Sequence, residues 1–540
     1  MRQSGRLAVI DLGSNSFRLV VFTAARGWWQ RTDEVYQPVR IGEGMAATGG
    51  LGEEPMHRAL AALEVFDHFC AAAGLLKPGM EPTVGRGAHM EPAVAGAGVE
   101  GGALVGAAVD AVATSAIRDA DNAEAFLARA RAQSRLPIRV LSREQEARYG
   151  YLAAVNSTTL SDGCVLDLGG GSMQLVRVED RLARASGSWR VGAVRMSERF
   201  LPGPNPPKGA QVEQLREHLA EQLRSATWLK SAGRRLVGIG GTVRSLAAVA
   251  QRAQGLPSNG VQGMVVTRAA LTEIVERLAA LSPAQRASVP GVKPTRADLI
   301  LAGALAVEGA LVAGDFEALE VTEAGLREGV FFERHLADAE YPDRPPLFAD
   351  VRCASVLNLA ARYGVQGAHT QHVAALALGM FDQLARLGLH AGDPTERELL
   401  WAACMLHDIG MSVDYDDHHK HSRYLILSAG LPGFSPVEAA IVAQAARYHR
   451  KGLPDPGPLA ALFAPGDAAR LDRCAVLLRL AEDLERSRDQ LVRDTELSSH
   501  NGSVQLRLLA DGGVAVPRWA AGRESELFAR AFDRQLSVVA

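Results

Sequence analysis

The chain has few cysteines, no long apolar run and no excess of either charge, and each absence removes a class of protein. Its five cysteines, Cys70, Cys164, Cys353, Cys404 and Cys474, are odd in number, widely scattered and form no C-x-x-C pair. Such a set gives no disulfide framework and fits a reduced, cytoplasmic protein. The longest apolar stretch, Leu299 to Gly314, carries Glu308 inside it and falls short of the ~18 uncharged residues that a membrane-spanning helix needs. The opening MRQSGRLAVIDLG runs straight into a strand pattern, without the apolar region and small-residue cleavage site of a secretory signal, so none is expected. With 58 basic against 61 acidic residues the net charge is -3, which excludes the strongly basic surface of a general nucleic-acid binder. A polyanion must be met by a local patch.

What is present is an ordinary globular composition, 47% hydrophobic and 22% charged, in 540 residues. Single cores stop growing near roughly 250–300 residues, so two to four domains are expected. Arg6–Ile10 and Arg18–Phe22 read as strands joined by the polar tip Asp11–Phe17. Val165–Leu168 and Gln174–Glu179 repeat that hairpin around Gly169–Ser172, and this internal repeat is the most informative architectural feature of the sequence. Between the two lie strands at Val109–Ala113 and Ile138–Leu141 and helices at Pro55–Ala73, Asp121–Gln133 and Arg143–Asn156. A third apolar strand, Leu236–Ile239, runs into Gly240-Gly241-Thr242, and Leu319–Thr322 with the helix Ala324–His335 closes the region. Pro78–Gly106, rich in Gly, Ala and Pro, has no sustained period and reads as a surface insertion, and Asp338–Pro346 reads as a linker. Helical periodicity dominates from there to about Arg493; the tail from Ser503 alternates like strands and then ends in a helix.

Three glycine-rich tips thus follow strands: Asp11-Leu-Gly13-Ser14-Asn15-Ser16, Asp167-Leu-Gly169-Gly170-Gly171-Ser172 and Gly238-Ile-Gly240-Gly241-Thr242. Backbone amides in such turns converge on phosphate oxygens, because glycine removes the side chain that would hold the ligand away. A carboxylate at the strand end, Asp11 and again Asp167, can hold a hydrated Mg²⁺ beside those donors. Each tip alone is weak evidence, because a tight glycine hairpin is its simpler reading. Three in order, two of them opened by Asp-Leu-Gly, point to phosphate.

This pattern resembles the actin-like ATPase and sugar-kinase superfamily. Within it, Asp11–Arg18, Ala113-Thr-Ser-Ala-Ile-Arg118, Ser142-Arg-Glu-Gln-Glu-Ala-Arg148 and Leu326-Arg-Glu-Gly329 are similar to the exopolyphosphatase/guanosine pentaphosphate phosphohydrolase family. The resemblance implies Mg²⁺-dependent hydrolysis of a terminal phosphoanhydride, in inorganic polyphosphate or at the 5′ end of the stringent-response nucleotide guanosine pentaphosphate. It makes Glu146 the catalytic base and Arg18, Arg118 and Arg327 the arginines at the phosphate, as phosphoryl transfer requires positioning and charge neutralisation more than covalent help. The second hairpin departs from the family pattern: Gly-Gly-Gly-Ser-Thr-Glu is replaced by Gly169-Gly-Gly-Ser172-Met-Gln174. Gln174 can donate to phosphate but brings no negative charge to a metal. That departure motivates the alternative of a catalytically weak nucleotide-binding sensor. A sugar kinase would need a catalytic aspartate in a sugar pocket, and none is identifiable.

Nine of the 14 histidines follow residue 350. His372, His407-Asp408 and the acidic Leu480–Glu485, with Glu482 and Asp483, resemble the ligand series of the HD phosphohydrolase superfamily, which implies a second divalent metal there. His418, His419 and His421, and His449 in the basic Arg447–Lys451, read as loop-solvating or helix-capping groups when taken singly. The fold class expected is an α/β actin-like (ribonuclease H-like) two-lobed core, an all-α HD-like domain and a short α+β tail. The boundaries are 1–134 and 135–325 for the lobes, 326–495 for the helical domain and 496–540 for the tail. The resemblance also implies a homodimer; no sequence-specific nucleic acid and no membrane are expected as partners.

Overall fold

Each hairpin of the internal repeat opens one six-stranded sheet. The structure, a computed structural model, describes residues 5–76, 98–100, 103–338, 341, 344–365, 367–500 and 502–539. In the first sheet β1 (Gly5–Leu12), β2 (Phe17–Ala25) and β3 (Trp28–Gln37) form an antiparallel meander, β4 (Gly98–Glu100) pairs antiparallel with the start of β5 (Ala103–Ala113), and β5 runs parallel to β1 and to β6 (Ile138–Val140). The second sheet repeats the plan. There β7 (Gly163–Leu168), β8 (Met173–Glu179) and β9 (Leu182–Trp189) form the meander, β10 (Leu236–Ile239) lies parallel to β7, and β11 (Val265–Thr267) flanks β12 (Ala318–Val321), which lies parallel to β10. A meander followed by two parallel strands, made twice, is the two-lobed α/β core that the actin-like resemblance implies. The sequence pattern missed β3 and β9 because both lie at sheet edges, half exposed and without apolar alternation. Part of Pro78–Gly106 is strand rather than loop, in β4 and from Ala103 onward; residues 78–97, 101 and 102 lie outside the described residues.

Central strands with both faces covered read as unbroken apolar runs, and β1 is such a strand. Ala8, Ile10 and Leu12 face one core with Leu60, Leu63 and Phe66 of the helix Glu53–Ala72. Leu7 and Val9 face a second core that takes in Leu152 and Val155, Val165 and Val176 of the second sheet, and Phe331. The two lobes therefore share a core. Phe331 stacks on Phe22 with ring centroids 4.4 Å apart, which ties the helix Leu326–His335 to this part of the molecule and not to the helical region where the boundary at 326 had placed it.

That helix packs against the helix Arg143–Val155. The latter starts at a reciprocal cap, in which Ser142 Oγ accepts from the Gln145 amide at 3.2 Å and Gln145 Oε1 accepts from the Ser142 amide at 3.0 Å. The cap fixes the phase of the first turn, leaving Glu144 exposed and Glu146 buried. Gly329 allows the close crossing, since a Cβ there would lie 2.0 Å from the Tyr149 carbonyl oxygen.

A second compact unit holds residues 352–540 with the short stretch 255–260. Helices Gly367–Arg386, Pro394–Leu406, Pro436–Arg447 and Asp467–Leu484 surround one core. The tail is not separate from it. Strand β13 (Val492–His500) crosses the boundary expected at 495, β14 (Ser503–Ala510) pairs with it, and Val492, Val504, Leu506 and Phe528 are buried with the helices in the same core. The chain ends in a strand, β15 (Gln535–Val539), parallel to β14, where the sequence pattern placed a helix. No helix among the described residues is long and apolar enough to cross a membrane.

Gly329→Ala is expected to destabilise the protein by about 1–3 kcal/mol or more, because the Tyr149 backbone has no room to retreat. Gly209→Ala is the control: it begins the helix Gly209–Leu223 and an added Cβ meets nothing within 4 Å. Denaturant midpoints should fall for the first variant and hold or rise for the second.

Candidate active site

All three glycine-rich tips open into one cleft. Its walls include Asp11, Gly13, Ser14, Asn15, Ser16 and Arg18 from the first hairpin, Asp167, Gly169 and Gly170 from the second, and Gly240, Gly241 and Thr242 from the third. Strand register explains the match between hairpins: Asp11 pairs with Arg18, and Asp167 pairs with both Gln174 and Ile239, so each aspartate ends the central strand of its sheet. The second tip is braced from behind. Carbonyls of Gly169 and Gly170 accept from the amides of Ala193 and Val194, at 3.0 and 2.9 Å, which commits those oxygens to the helix Ala193–Phe200 instead of to the cleft. Gly192 makes this approach possible, as a Cβ there would sit 2.4 Å from the Gly170 backbone. Ser14 Oγ lies 3.2 Å from Ser115 Oγ, joining the first tip to the Thr114-Ser115 turn that also lines the cleft.

Opposite charges are layered here. Glu146, 5% exposed, joins Asp11 and Asp167 as an acidic floor. Burial raises the pKa of Asp167 to about 7, with Glu146 and Asp11 adding to the rise. Burial also raises that of Asp11, against the opposing pull of Arg327 and Arg18, and that of Glu146, against Arg118. Three carboxylates that push one another toward protonation are a fitting seat for a divalent cation, which would reverse the push. Facing them are Arg18, Arg244, Arg296 and Arg327. Burial and mutual repulsion lower the pKa of Arg244 to about 10 and lower those of Arg18 and Arg296, and nearby Lys293 is lowered by burial and by Arg244, Arg18 and Arg296. An anion among them relieves the strain.

Four expected residues, Arg118, Gln174, Gly171 and Ser172, lie outside the cleft lining. Arg118 does not line the cleft; its Nη1 donates to Glu146 Oε2 at 2.6 Å and to the Leu141 carbonyl at 3.1 Å, so it grips the carboxylate from outside the lining. Gln174 is 1% exposed, and its Nε2 is held by Ser172 Oγ at 2.8 Å and Ser188 Oγ at 3.3 Å. It too is outside the cleft lining, as are Gly171 and Ser172. Arg244 and Arg296 were not anticipated. Arg244 had a signal, two residues beyond Thr242 on the same glycine-led helix, Gly241–Ala253. Arg296 had none: it comes from a short 3₁₀ turn, Pro294–Arg296, and reaches over Gly241, whose absent Cβ would be 2.2 Å from its guanidinium.

In the second unit, His407, Asp408 and Glu482 converge with His369, His418 and His449. His372 and Asp483, expected among the ligands, are outside this group: His372 Nε2 sits 2.9 Å from the Val492 carbonyl and Asp483 pairs with Arg486. His418, His419 and His449 are buried, not loop-solvating.

Comparison with known proteins agrees with this geometry. Residues 103–337 match the model of the Ppx/GppA phosphatase family, and residues 351–514 match that of Ppx/GppA phosphatase domain III. The chain belongs to the Ppx/GppA phosphatase family. It is a phosphoanhydride hydrolase. Among solved structures, an exopolyphosphatase from Cytophaga hutchinsonii is 20% identical with a TM-score of 0.52, covering 61% of this chain and 97% of that one. The Aquifex aeolicus Ppx/GppA family member is 28% identical with a TM-score of 0.47, covering 61% of this chain and 96% of that one.

For this Ppx/GppA phosphatase the acidic floor has a thermodynamic signature. Folded Asp167 prefers its proton up to about pH 7, whereas an unfolded aspartate ionises near pH 4. Its charge therefore costs stability above about pH 7, and the cost fades as pH falls toward 4. In metal-free buffer Asp167→Asn is expected to be more stable than the parent at pH 8, by about 1–3 kcal/mol, and equal to it near pH 4. Melting temperatures across that range check both ends.

Proposed function

We propose that this enzyme releases the terminal phosphate of inorganic polyphosphate. The observation that carries the substrate choice is the lining of the cleft: four arginines and three glycine-rich tips, with no aromatic side chain among the described lining residues on which a guanine would stack. Guanosine pentaphosphate presents the same phosphoanhydride and is the competing substrate. We also propose a cytoplasmic location, supported by five scattered cysteines that form no C-x-x-C pair, and the homodimer that the family resemblance implies.

In this reading Asp11 and Asp167 hold Mg²⁺, whose charge, when bound, offsets that of the phosphate oxygens. Arg18, Arg244, Arg296 and Arg327 bind the chain, with the start of the helix Gly241–Ala253 adding its positive end. Glu146 accepts a proton from the attacking water. Water oxygen bonds to the terminal phosphorus, the bridging P–O bond breaks, and its electron pair leaves on the shortened chain, whose new oxyanion the arginines stabilise. Arg118 is a positioning residue: by donating to Oε2 it leaves Oε1 for water and favours the ionised carboxylate against the effect of burial.

Glu146→Gln keeps the shape and removes the base, so kcat should fall by ~10² or more with KM nearly unchanged. Arg118→Ala should lower kcat and move the acid limb of its pH profile upward, because a buried carboxylate without its cation is harder to ionise. A purely structural Arg118 would shift the melting temperature and leave the profile in place. Side-by-side kcat/KM values for long-chain polyphosphate and guanosine pentaphosphate test the substrate, with polyphosphate expected to be favoured; a nucleotide preference would reverse the choice.

A further inference from the structure

The buried cluster of the second unit lacks protons where it needs them. Its donors group as two triads, His369, His407 and Glu482, and Asp408, His418 and His449, with the ligand atoms of each within 4.8 Å of one another. Three of the imidazoles have their Nδ1 tied to a backbone carbonyl one turn earlier: His407 to Cys404 at 2.7 Å, His418 to Tyr415 at 2.8 Å and His449 to Ala446 at 2.7 Å. Since a carbonyl only accepts, each Nδ1 donates to it, and each ring in its neutral, metal-binding form turns an Nε2 lone pair inward. Those lone pairs face other acceptors. His418 Nε2 lies 3.1 Å from His449 Nε2 and 3.3 Å from Asp408 Oδ1, and His407 Nε2 lies 3.3 Å from Glu482 Oε2. His369 Nε2 is 3.1 Å from the same Glu482 oxygen, and no aligned hydrogen bond satisfies it, His407 Nε2 or Glu482 Oε2, although both histidines are under 5% exposed. Arg488 donates to Asp408 Oδ2 at 2.7 Å, which supplies one donor on one side.

Lone pairs packed against lone pairs are repulsive unless cations lie between them, and a backbone-anchored Nδ1 is the arrangement that orients metal-binding histidines. We propose that this unit holds a dinuclear transition-metal centre, with one ion on His369, His407 and Glu482, a second on His418 and His449, and Asp408 beside both. Asp408 is placed for this: Oδ1 lies 3.3 Å from His418, 3.8 Å from His449 and 3.7 Å from His407, while Oδ2 lies 4.0 Å from His369. Four imidazoles with two carboxylates select borderline first-row ions over Mg²⁺, which takes oxygen ligands. The centre is distinct from the carboxylate floor of the cleft, and it does not depend on the choice of polyphosphate as substrate.

The test uses the full chain carrying Asp167→Asn, which removes one carboxylate from the cleft while excess Mg²⁺ competes for the rest, stripped with chelator and titrated with Co²⁺. Elemental analysis should find two cobalt ions per chain, with visible absorption showing nitrogen ligation and a raised melting temperature, since metal that binds only the folded form stabilises it. His418→Gln with His449→Gln should leave one ion. No cobalt uptake by the Asp167→Asn chain overturns the proposal without recourse to any variant of the cluster; a single ion overturns its dinuclear form. Two ions retained after His418→Gln with His449→Gln would place the metal elsewhere and overturn it as well.

Discussion

Like charges held close in a buried cleft are the constraint on which the catalytic core is built. Asp11 and Glu146 raise the cost of charge on Asp167, and Arg18, Arg296 and Arg327 raise it on Arg244. Neither layer is comfortable alone. A divalent cation on the carboxylates and a phosphoanhydride substrate on the arginines would relieve both, so affinity for substrate would be stored in the folded protein as electrostatic strain. The scaffold supplies the stiffness this needs. Duplicated sheets present two equivalent strand ends, a shared core binds the lobes around β1, and glycines at 192 and 329 let backbone meet backbone where any Cβ would hold the layers apart.

Position within a helix then decides chemistry. Residues 144 and 146 are both glutamates in the first turn of one helix, and the cap at Ser142 turns one to solvent and the other into the cleft. Arg118 completes the arrangement from a different strand end, by gripping one oxygen of the buried carboxylate. Burial raises the pKa of that base while Arg118 pulls it down, so the neighbour opposes the cost of burying its charge.

What was legible in the sequence was local. Asp-Leu-Gly at a strand end, glycine at a tip and an apolar run with both faces buried are written in contiguous residues, and they identified the duplicated hairpins, Asp11, Asp167 and the three tips. What depends on docking was not legible. His369 and His372 lie three residues apart on one helix, nearly on the same face, and only packing against Asp467–Leu484 and β13 selects the first for the cluster and sends the second to the Val492 carbonyl. Arg296 reaches the cleft from a turn far along the chain, and Arg118 is brought against Glu146, 28 positions further on, only by the fold. Gln174, whose unusual identity invited a sensor reading, is occupied by Ser172 and Ser188. Edge strands β3 and β9 escaped notice because half-exposed strands need no apolar alternation.

If the opposed charge layers are the working principle, cation and polyanion must bind each other's site-bearing form more tightly than either binds alone, by linkage. Calorimetric binding of a methylene-bridged triphosphate to the Glu146→Gln protein, with and without Mg²⁺, measures this coupling. At matched concentrations of free and Mg²⁺-complexed ligand, Mg²⁺ is expected to tighten binding at least ~10-fold, and the gain is expected to vanish when Asp167→Asn is added. Equal affinity with and without Mg²⁺, or a gain that survives the loss of Asp167, would contradict a cleft organised by mutual relief of buried charge.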